Sequence, residues 1–377
     1  MVNPSAVNRE FVALTSATGR QNPVGYHPCQ GLYWTPEGHR PKTAFIATHY
    51  NVDFSEHYLA PYMAAREFGF LGWNTRFRGA EAWFILEHAL IDIAAGVRWL
   101  REEAGAGTVV LLGNSGGGSL IGAYQSQATE PNMEPVADGA LPPAVLELPP
   151  GDLYISLQAH LGRPEVLTAW MDPSVTDEND PLSADPSLDM YSAANGPPYP
   201  PEFVARYRQA QEDRNQRITD WALAELERLQ GAGAYDRNFN LHRVWADLRM
   251  VDPSLDPSDR PPNMCYLGNP RAANYGPYGI GSSNTLRTWL SMWSLKTSYC
   301  RGEPHLRRIK VPALVIQSTG DTGIFPSDAR RIFEALASAD KQLHMIEGDH
   351  YLTAPPEARE RVADLIAAWV RERAPAT

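Results

Sequence analysis

The chain has 377 residues, 43% of them hydrophobic, and a formal net charge of −11. That is apolar material for one large domain with an insertion, or for two domains, and too much for a disordered chain. The acidic balance speaks against nucleic acid or an anionic membrane as partner, and no run of 18 apolar residues is present to cross a bilayer. The opening residues, Met1-Val2-Asn3-Pro4-Ser5, lack the basic start and apolar run of an export signal. Cys29, Cys265 and Cys300 show no metal-type spacing. An odd number of cysteines without an export signal reads as free thiols in a reducing cytoplasm, which disfavours a Cys265–Cys300 bridge.

In chain order, residues 42–48 (KTAFIAT) read as a buried strand. Residues 55–68 read as a helix, with Ser55 as its N-cap and Gly69 just past its end. Residues 70–75 (FLGWNT) form a second strand, and Leu86, Leu90, Ile93, Val97 and Leu100 then mark one helical stripe. A strand at 108–112 (TVVLL) runs into Gly113-Asn114-Ser115-Gly116-Gly117, and residues 118–123 (GSLIGA) open a helix. Apolar strands alternating with helices predict a parallel sheet covered on both faces.

Residues 130–150 are rich in proline and alanine and read as an arm or loop, followed by a core strand at 152–158 (DLYISLQ). From about residue 162 to 306 the alternation stops. This stretch carries Asp-Pro, Pro-Pro, Asn-Pro and Gly-Pro breakers and many of the aromatics. Within it, a long helix runs from Pro201 to about Leu229, and another starts near Ser283 with Leu286, Trp289, Leu290 and Trp293 on one face. The region reads as a mostly helical insertion. Core alternation resumes with a strand at 312–317 (PALVIQ), a helix at 327–337 capped by Ser327, a last strand at 342–346, and a closing helix at 356–370. The expected divisions are 1–160 and 308–377 for the two parts of the core, and 161–307 for the insertion.

Ser115 sits at the apex of a strand–turn–helix. A G-x-S-x-G turn needs small flanking residues because the serine backbone is strained, and the strain holds Oγ out at the carboxyl end of a sheet. A serine hydroxyl needs a base in reach, and the base needs an orienting acid. Asp321, in Ser318-Thr319-Gly320-Asp321-Thr322-Gly323, follows the strand ending near Gln317. His350, in Glu347-Gly348-Asp349-His350-Tyr351, follows the last strand. Open α/β sheets place their sites at such strand ends. Asp349 and Asp328 compete for the acid role; Asp349 ranks lower because it would have to fold back on its neighbour.

With GNSGG, VPALVIQSTGDTGIFPSDA and IEGDHYL in that order, and THYN upstream, the chain resembles the α/β-hydrolase superfamily over roughly residues 40–160 and 308–377. The resemblance implies a mostly parallel sheet with helices on both faces and an inserted, mainly helical cap. It implies Ser115 as nucleophile, His350 as base and Asp321 as orienting acid. It places the oxyanion hole at the N–H of Gly116 and a second N–H from Tyr50 or Asn51, with the Tyr50 hydroxyl as another donor. Members usually read His-Gly where this chain has His49-Tyr50; His49 is expected to brace the loop. Arg76 and Arg78 match a loop-bracing position.

The implied reaction is hydrolysis of a carboxylic ester or lactone through an acyl-enzyme, with no cofactor and no metal. His344 and His350 lack ligand spacing. The run Gly116-Gly117-Gly118-Ser119 lacks the Lys-Ser/Thr of a phosphate loop, and a serine apex excludes the carboxylate nucleophile of a dehalogenase-like mechanism. Trp170, Tyr191, Tyr207, Trp221, Tyr235, Tyr275, Tyr278, Trp289 and Trp293 give the insertion an aromatic character suited to a bulky apolar substrate, a macrolactone of the zearalenone kind for example. The alternatives are an acyltransferase or thioesterase using the same residues, and a non-catalytic binding member of the fold. The cap, or an N-terminal arm over residues 1–30, offers a surface for a homo-oligomer.

Overall fold

In the strand Thr43–Ala47 successive side chains divide between two apolar layers. Ala44 and Ile46 join one, Phe45 and Ala47 the other. Thr108–Ser115 does the same with Val109 and Leu111 against Val110 and Leu112, and Ala313–Ser318 with Ala313 and Val315 against Leu314 and Ile316. Strand side chains alternate faces, so strands that are apolar at every position must be covered on both sides.

The computed structural model describes residues 7–18, 26–136 and 139–374. The strands are, in chain order, β1 (Val7–Leu14), β2 (Cys29–Pro36), β3 (Thr43–Ala47), β4 (Gly69–Asn74), β5 (Thr108–Ser115), β6 (Leu153–Ala159), β7 (Asn238–Asn240), β8 (Ser283–Thr285), β9 (Ala313–Ser318) and β10 (Lys341–Ile346). Eight of them form one sheet in the order β1-β2-β4-β3-β5-β6-β9-β10. β2 runs antiparallel to both β1 and β4, and the pairs from β4 to β10 are parallel. The helices Leu86–Glu102, Gly117–Thr129 and Pro326–Ala335 pack on one face, and Ala60–Ala64 and Ala358–Arg371 on the other. All five residues of the predicted stripe, Leu86 to Leu100, are buried.

Several expectations shift. Residues 55–68 hold only a short helix, Ala60–Ala64, with Leu59 and not Ser55 at its N-cap. The chain before it is drawn into turns: the His57 N–H bonds Phe54 O, and the His57 ring accepts the Leu59 N–H. The helix expected at Ser327 starts at Pro326 with Phe325 as N-cap, because the Asp328 carboxylate accepts the Phe325 N–H. The Ser327 hydroxyl instead donates to Asp256. The helix expected near Ser283 is preceded by β8, which pairs with β7; residues Leu286–Thr288 then lead into a π-helical turn, Trp289–Trp293. Among the described residues of 130–150 the chain forms one 3₁₀ turn, Pro143–Leu146. The reading of Met1 to Ser5 lies outside the described residues. Of the expected N-terminal arm, residues 7–14 are paired within the chain as β1.

Between β6 and β9 the chain leaves the sheet. Its longest element is the helix Pro201–Gly231, with a proline at its first position, where no N–H is needed. Buried arginines lock this region: Arg214 binds Glu178 and the carbonyls of Asp172 and His242, while Arg243 binds Asp172. Arg249 ties it to the core through Asp328. All three cysteines are buried free thiols, and among the described residues no helix is long and apolar enough to cross a membrane.

At the β4 end, Arg76 is buried on Asp92, with its amide, Nε and Nη2 all donating to that carboxylate and Nη2 also to Ser16 and Thr18. Arg78 makes an exposed pair with Asp53 at 3.1 Å. Asp92→Ala takes the carboxylate from the buried Arg76 charge, so equilibrium urea unfolding should show a loss of about 3–5 kcal/mol. A loss under about 1 kcal/mol, the scale of an exposed pair, would contradict that assignment.

Candidate active site

Parallel strands bring their carboxyl ends to one edge. Ser115 closes β5, Asp321 lies three residues past β9, and His350 four past β10. The serine backbone has φ of 55°, in the left-handed region that costs a non-glycine residue about 1–3 kcal/mol. The surroundings over-determine it. The register with β6 shifts between Asn114 and Ser115, and the His160 N–H bonds Ser115 O at 3.1 Å. Asn114 donates to Leu157 O and accepts from His57 Nε2 at 3.1 Å. Because His57 Nδ1 takes the Leu59 amide, its proton is on Nε2. Burial pushes this histidine down to about 4, so it is a neutral brace. Gly117 permits the turn by close approach, since a Cβ there would collide with the Thr48 carbonyl oxygen.

The structure brings Ser115, His350 and Asp321 into one hydrogen-bonded line. Ser115 Oγ is 3.1 Å from His350 Nε2, and His350 Nδ1 is 2.6 Å from Asp321 Oδ2. Asp321 is about 1% exposed. Burial opposes its charge, but His350 and the amides of Gly323 and Ile324 outweigh burial and hold the carboxyl below its usual range. An ionised Asp321 accepts the Nδ1 proton, which leaves the Nε2 lone pair for the serine. The competing acids are engaged elsewhere. Asp328 pairs with Arg249 and caps Phe325, and Asp349 takes the amides of Tyr351 and Thr353.

Loop 48–51 packs against the elbow, and its geometry narrows the expected donors. The Tyr50 hydroxyl is buried on Ser119 Oγ at 3.0 Å, and burial pushes it well above the ordinary tyrosine range. The Asn51 N–H turns to His49 Nδ1 at 3.4 Å, as does that of Val52 at 3.3 Å, so His49 braces the loop. The amides of Gly116 and Tyr50 have no protein acceptor among the described residues. Of the expected donors, the amides of Gly116 and Tyr50 are left open, while the Asn51 amide and the Tyr50 hydroxyl are engaged within the protein.

Three further residues stand here that the sequence did not single out. The Tyr266 hydroxyl donates to Asp321 Oδ1 at 2.9 Å and lies 3.1 Å from His350 Nδ1, its ring centroid 4.6 Å from the imidazole. It comes from the inserted region and has no local sequence signal. His160 follows β6 and meets Trp170 edge-on at 5.7 Å; burial, then Arg163, drives its basicity well below the ordinary value. Arg163 follows the same strand, so its place at the carboxyl edge was readable, though not its direction. A cavity of about 470 Å³ runs from His160 past Trp170 to Gly323 and Asp328. A larger one, about 690 Å³, lies between Asp177, Arg217, Trp221 and Phe239, away from the serine. No cluster of three metal-ligating side chains occurs among the described residues, and His344 meets Gln342 within β10.

No protein-family model matches the sequence, and no curated protein matches it. Solved structures do. DcsB, in complex with its substrate analogue, superposes with a TM-score of 0.53 at 12% identity, over 98% of this chain and 100% of that one. The α/β-hydrolase GrgF from Penicillium sp. sh18 gives 0.49 at 12% identity, over 97% and 99%. The esterase domain of a Rhodothermus marinus protein gives 0.45 at 12%, over 97% and 99%. The strand order, the antiparallel second strand and the serine elbow at the end of β5 are of one kind: the chain has the α/β-hydrolase fold.

Removing the Tyr266 hydroxyl takes a donor from the ionised form of Asp321 alone. A carboxylate depressed in the folded state adds stability above its unfolded pKa, and that stability is lost as pH falls through the folded value. In Tyr266→Phe the folded value rises, so the acid limb of the unfolding curve should move to higher pH with a loss of about 1.5–3 kcal/mol at neutral pH. An acid limb superimposable on that of the wild type would show that the hydroxyl does not hold the charge.

Proposed function

We propose that the protein is a serine hydrolase that cleaves a carboxylic ester through an acyl-enzyme on Ser115. The observation that carries this is the continuous line from Ser115 Oγ to His350 Nε2 and from His350 Nδ1 to Asp321, at 3.1 and 2.6 Å. In this mechanism Ser115 Oγ attacks the carbonyl carbon as its proton passes to His350 Nε2. Asp321 holds the ring in the tautomer that can take that proton and stabilises the imidazolium. The oxygen that gains charge accepts from the N–H groups of Gly116 and Tyr50, fixed donors that need no reorganisation. His350 then returns the proton to the leaving alcohol. A water deprotonated by the same nitrogen releases the acid, and the serine recovers its proton.

The cap, taken as residues 161–307, selects the substrate in this reading. Of the insertion's aromatics, Trp170 borders the cavity that runs from His160 and Trp221 the larger one, Tyr207, Trp289 and Trp293 are buried, and Tyr235, Tyr275 and Tyr278 face solvent. Free buried thiols fit a reducing compartment.

With 4-nitrophenyl butyrate as substrate, Ser115→Ala should abolish turnover and fluorophosphonate labelling together. Asp321→Asn should lower kcat by about 10⁴-fold, since it presents the wrong tautomer. Product transfer to an added alcohol in place of water would identify an acyltransferase. A wild-type protein that turns over no ester, thioester or lactone and resists the fluorophosphonate would refute the enzyme reading.

A further inference from the structure

The proposed mechanism leaves one buried charge unused. Arg163 opens the helix Arg163–Trp170, four residues past β6, on the same edge of the sheet as Ser115. Its side chain is 2% exposed, yet among the described residues no hydrogen-bond acceptor reaches its guanidinium. The nearest carboxylate oxygen, Glu81 Oε1, is 3.9 Å away and is itself without a partner, as is Arg163 Nε. The other deeply buried arginines are hydrogen-bonded: Arg76, Arg214 and Arg243 each grip a carboxylate with two nitrogens, and Arg260 donates to the carbonyls of Arg249 and Asp256 and to the Ser258 hydroxyl. A buried guanidinium without such a partner is costly. Arg163 instead has Tyr50 and Trp293 against it, at 4.4 and 5.4 Å from the ring centroids.

Its Nη2 is aimed at Gly116. A Cβ built on Gly116 would lie 2.8 Å from Arg163 Nη2 and 2.6 Å from His49 Nε2. His49 Nδ1 accepts two backbone amides, so its proton is on Nε2. Two side-chain donors therefore converge beside the residue whose amide faces the reacting carbonyl. Burial holds Glu81 above the usual carboxylate range against the pull of Arg163.

We propose that Arg163, with the Nε2–H of His49, forms a carboxylate subsite beside Ser115, and that the substrate is an ester bearing a free carboxylate on its acyl side. The side follows from the reaction and rests on the hydrolase reading. His350 must protonate the alcohol oxygen, so the alcohol leaves toward the histidine. With the oxyanion on the Gly116 amide and the alcohol toward the histidine, the acyl chain takes the remaining direction, which the proposal assigns to the two donors beside Gly116. A charged fork on a carboxylate is the strong form of this contact.

The test compares 4-nitrophenyl hydrogen glutarate with 4-nitrophenyl pentanoate, which match in chain length and leaving group. The wild type should favour the glutarate at least ten-fold in kcat/KM. Arg163→Gln should cut that ratio at least ten-fold, and Arg163→Lys should keep part of it. A wild type without the preference, or an Arg163→Gln that loses both esters equally, overturns the subsite. If Arg163→Gln fails to fold, the wild-type ratio and Arg163→Lys decide. Binding separates this claim from the hydrolase reading: Ser115→Ala should bind monomethyl glutarate in calorimetry, and Ser115→Ala/Arg163→Lys should bind it several-fold more weakly. That result would stand even if no ester were hydrolysed. Equal binding by the two, or none by Ser115→Ala, would end the proposal while leaving any measured ester hydrolysis intact.

Discussion

A carboxylate with almost no contact with water sits where three segments of the chain meet. Asp321 keeps its charge only because four donors surround it: two amides of its own loop, the imidazole of His350 and the hydroxyl of Tyr266. Each donor fixes something else. The amides shape the turn after β9. The imidazole is locked in one tautomer and aimed at Ser115. The tyrosine brings the inserted region onto the sheet. Burial makes each bond matter more, because a buried charge that loses a partner has no solvent to replace it.

The serine elbow imposes a second constraint of opposite character. Asp321 is held by polar satisfaction, whereas Ser115 is held by crowding. Its left-handed backbone persists because the Gly117 Cα abuts the loop after β3, β6 grips the strand end, and the neutral His57 pins Asn114 from behind. The hydroxyl is thus presented by parts that have no chemistry of their own. Strain at one residue is affordable only because several elements share its cost.

Much of the core was legible because its strands are covered on both faces. A run such as TVVLL has no solvent-facing position, and its flanking turn residues bound it cleanly. The stripe from Leu86 to Leu100 was legible because a single period of 3.6 runs through it. The short helix at Ala60–Ala64 was not, since the His57 side chain, held by Asn114 57 residues further on, decides where the turns end. Composition also could not sort the cap aromatics. Trp289 is interior and Tyr235 is surface, and nothing local distinguishes them. The line Ser115–His350–Asp321 could be anticipated because strand ends in a parallel sheet converge. Tyr266 could not be placed, because only the docking of the insertion brings it onto Asp321; Arg163 could be placed at the edge but not oriented, because only the packing around Tyr50 and Trp293 turns it toward Gly116.

Tyr266 has an implication for how such a protein diversifies. An insertion that merely roofed the serine could be exchanged for another roof, and the chemistry beneath would be indifferent. Here the insertion supplies a hydroxyl to Asp321 and an aromatic ring to His350. A transplanted cap that shaped a new pocket but carried no equivalent tyrosine would inherit a less well-held charge along with its new specificity. The docking of the insertion and the charge of Asp321 are tied together in this chain, and exchanging one disturbs the other.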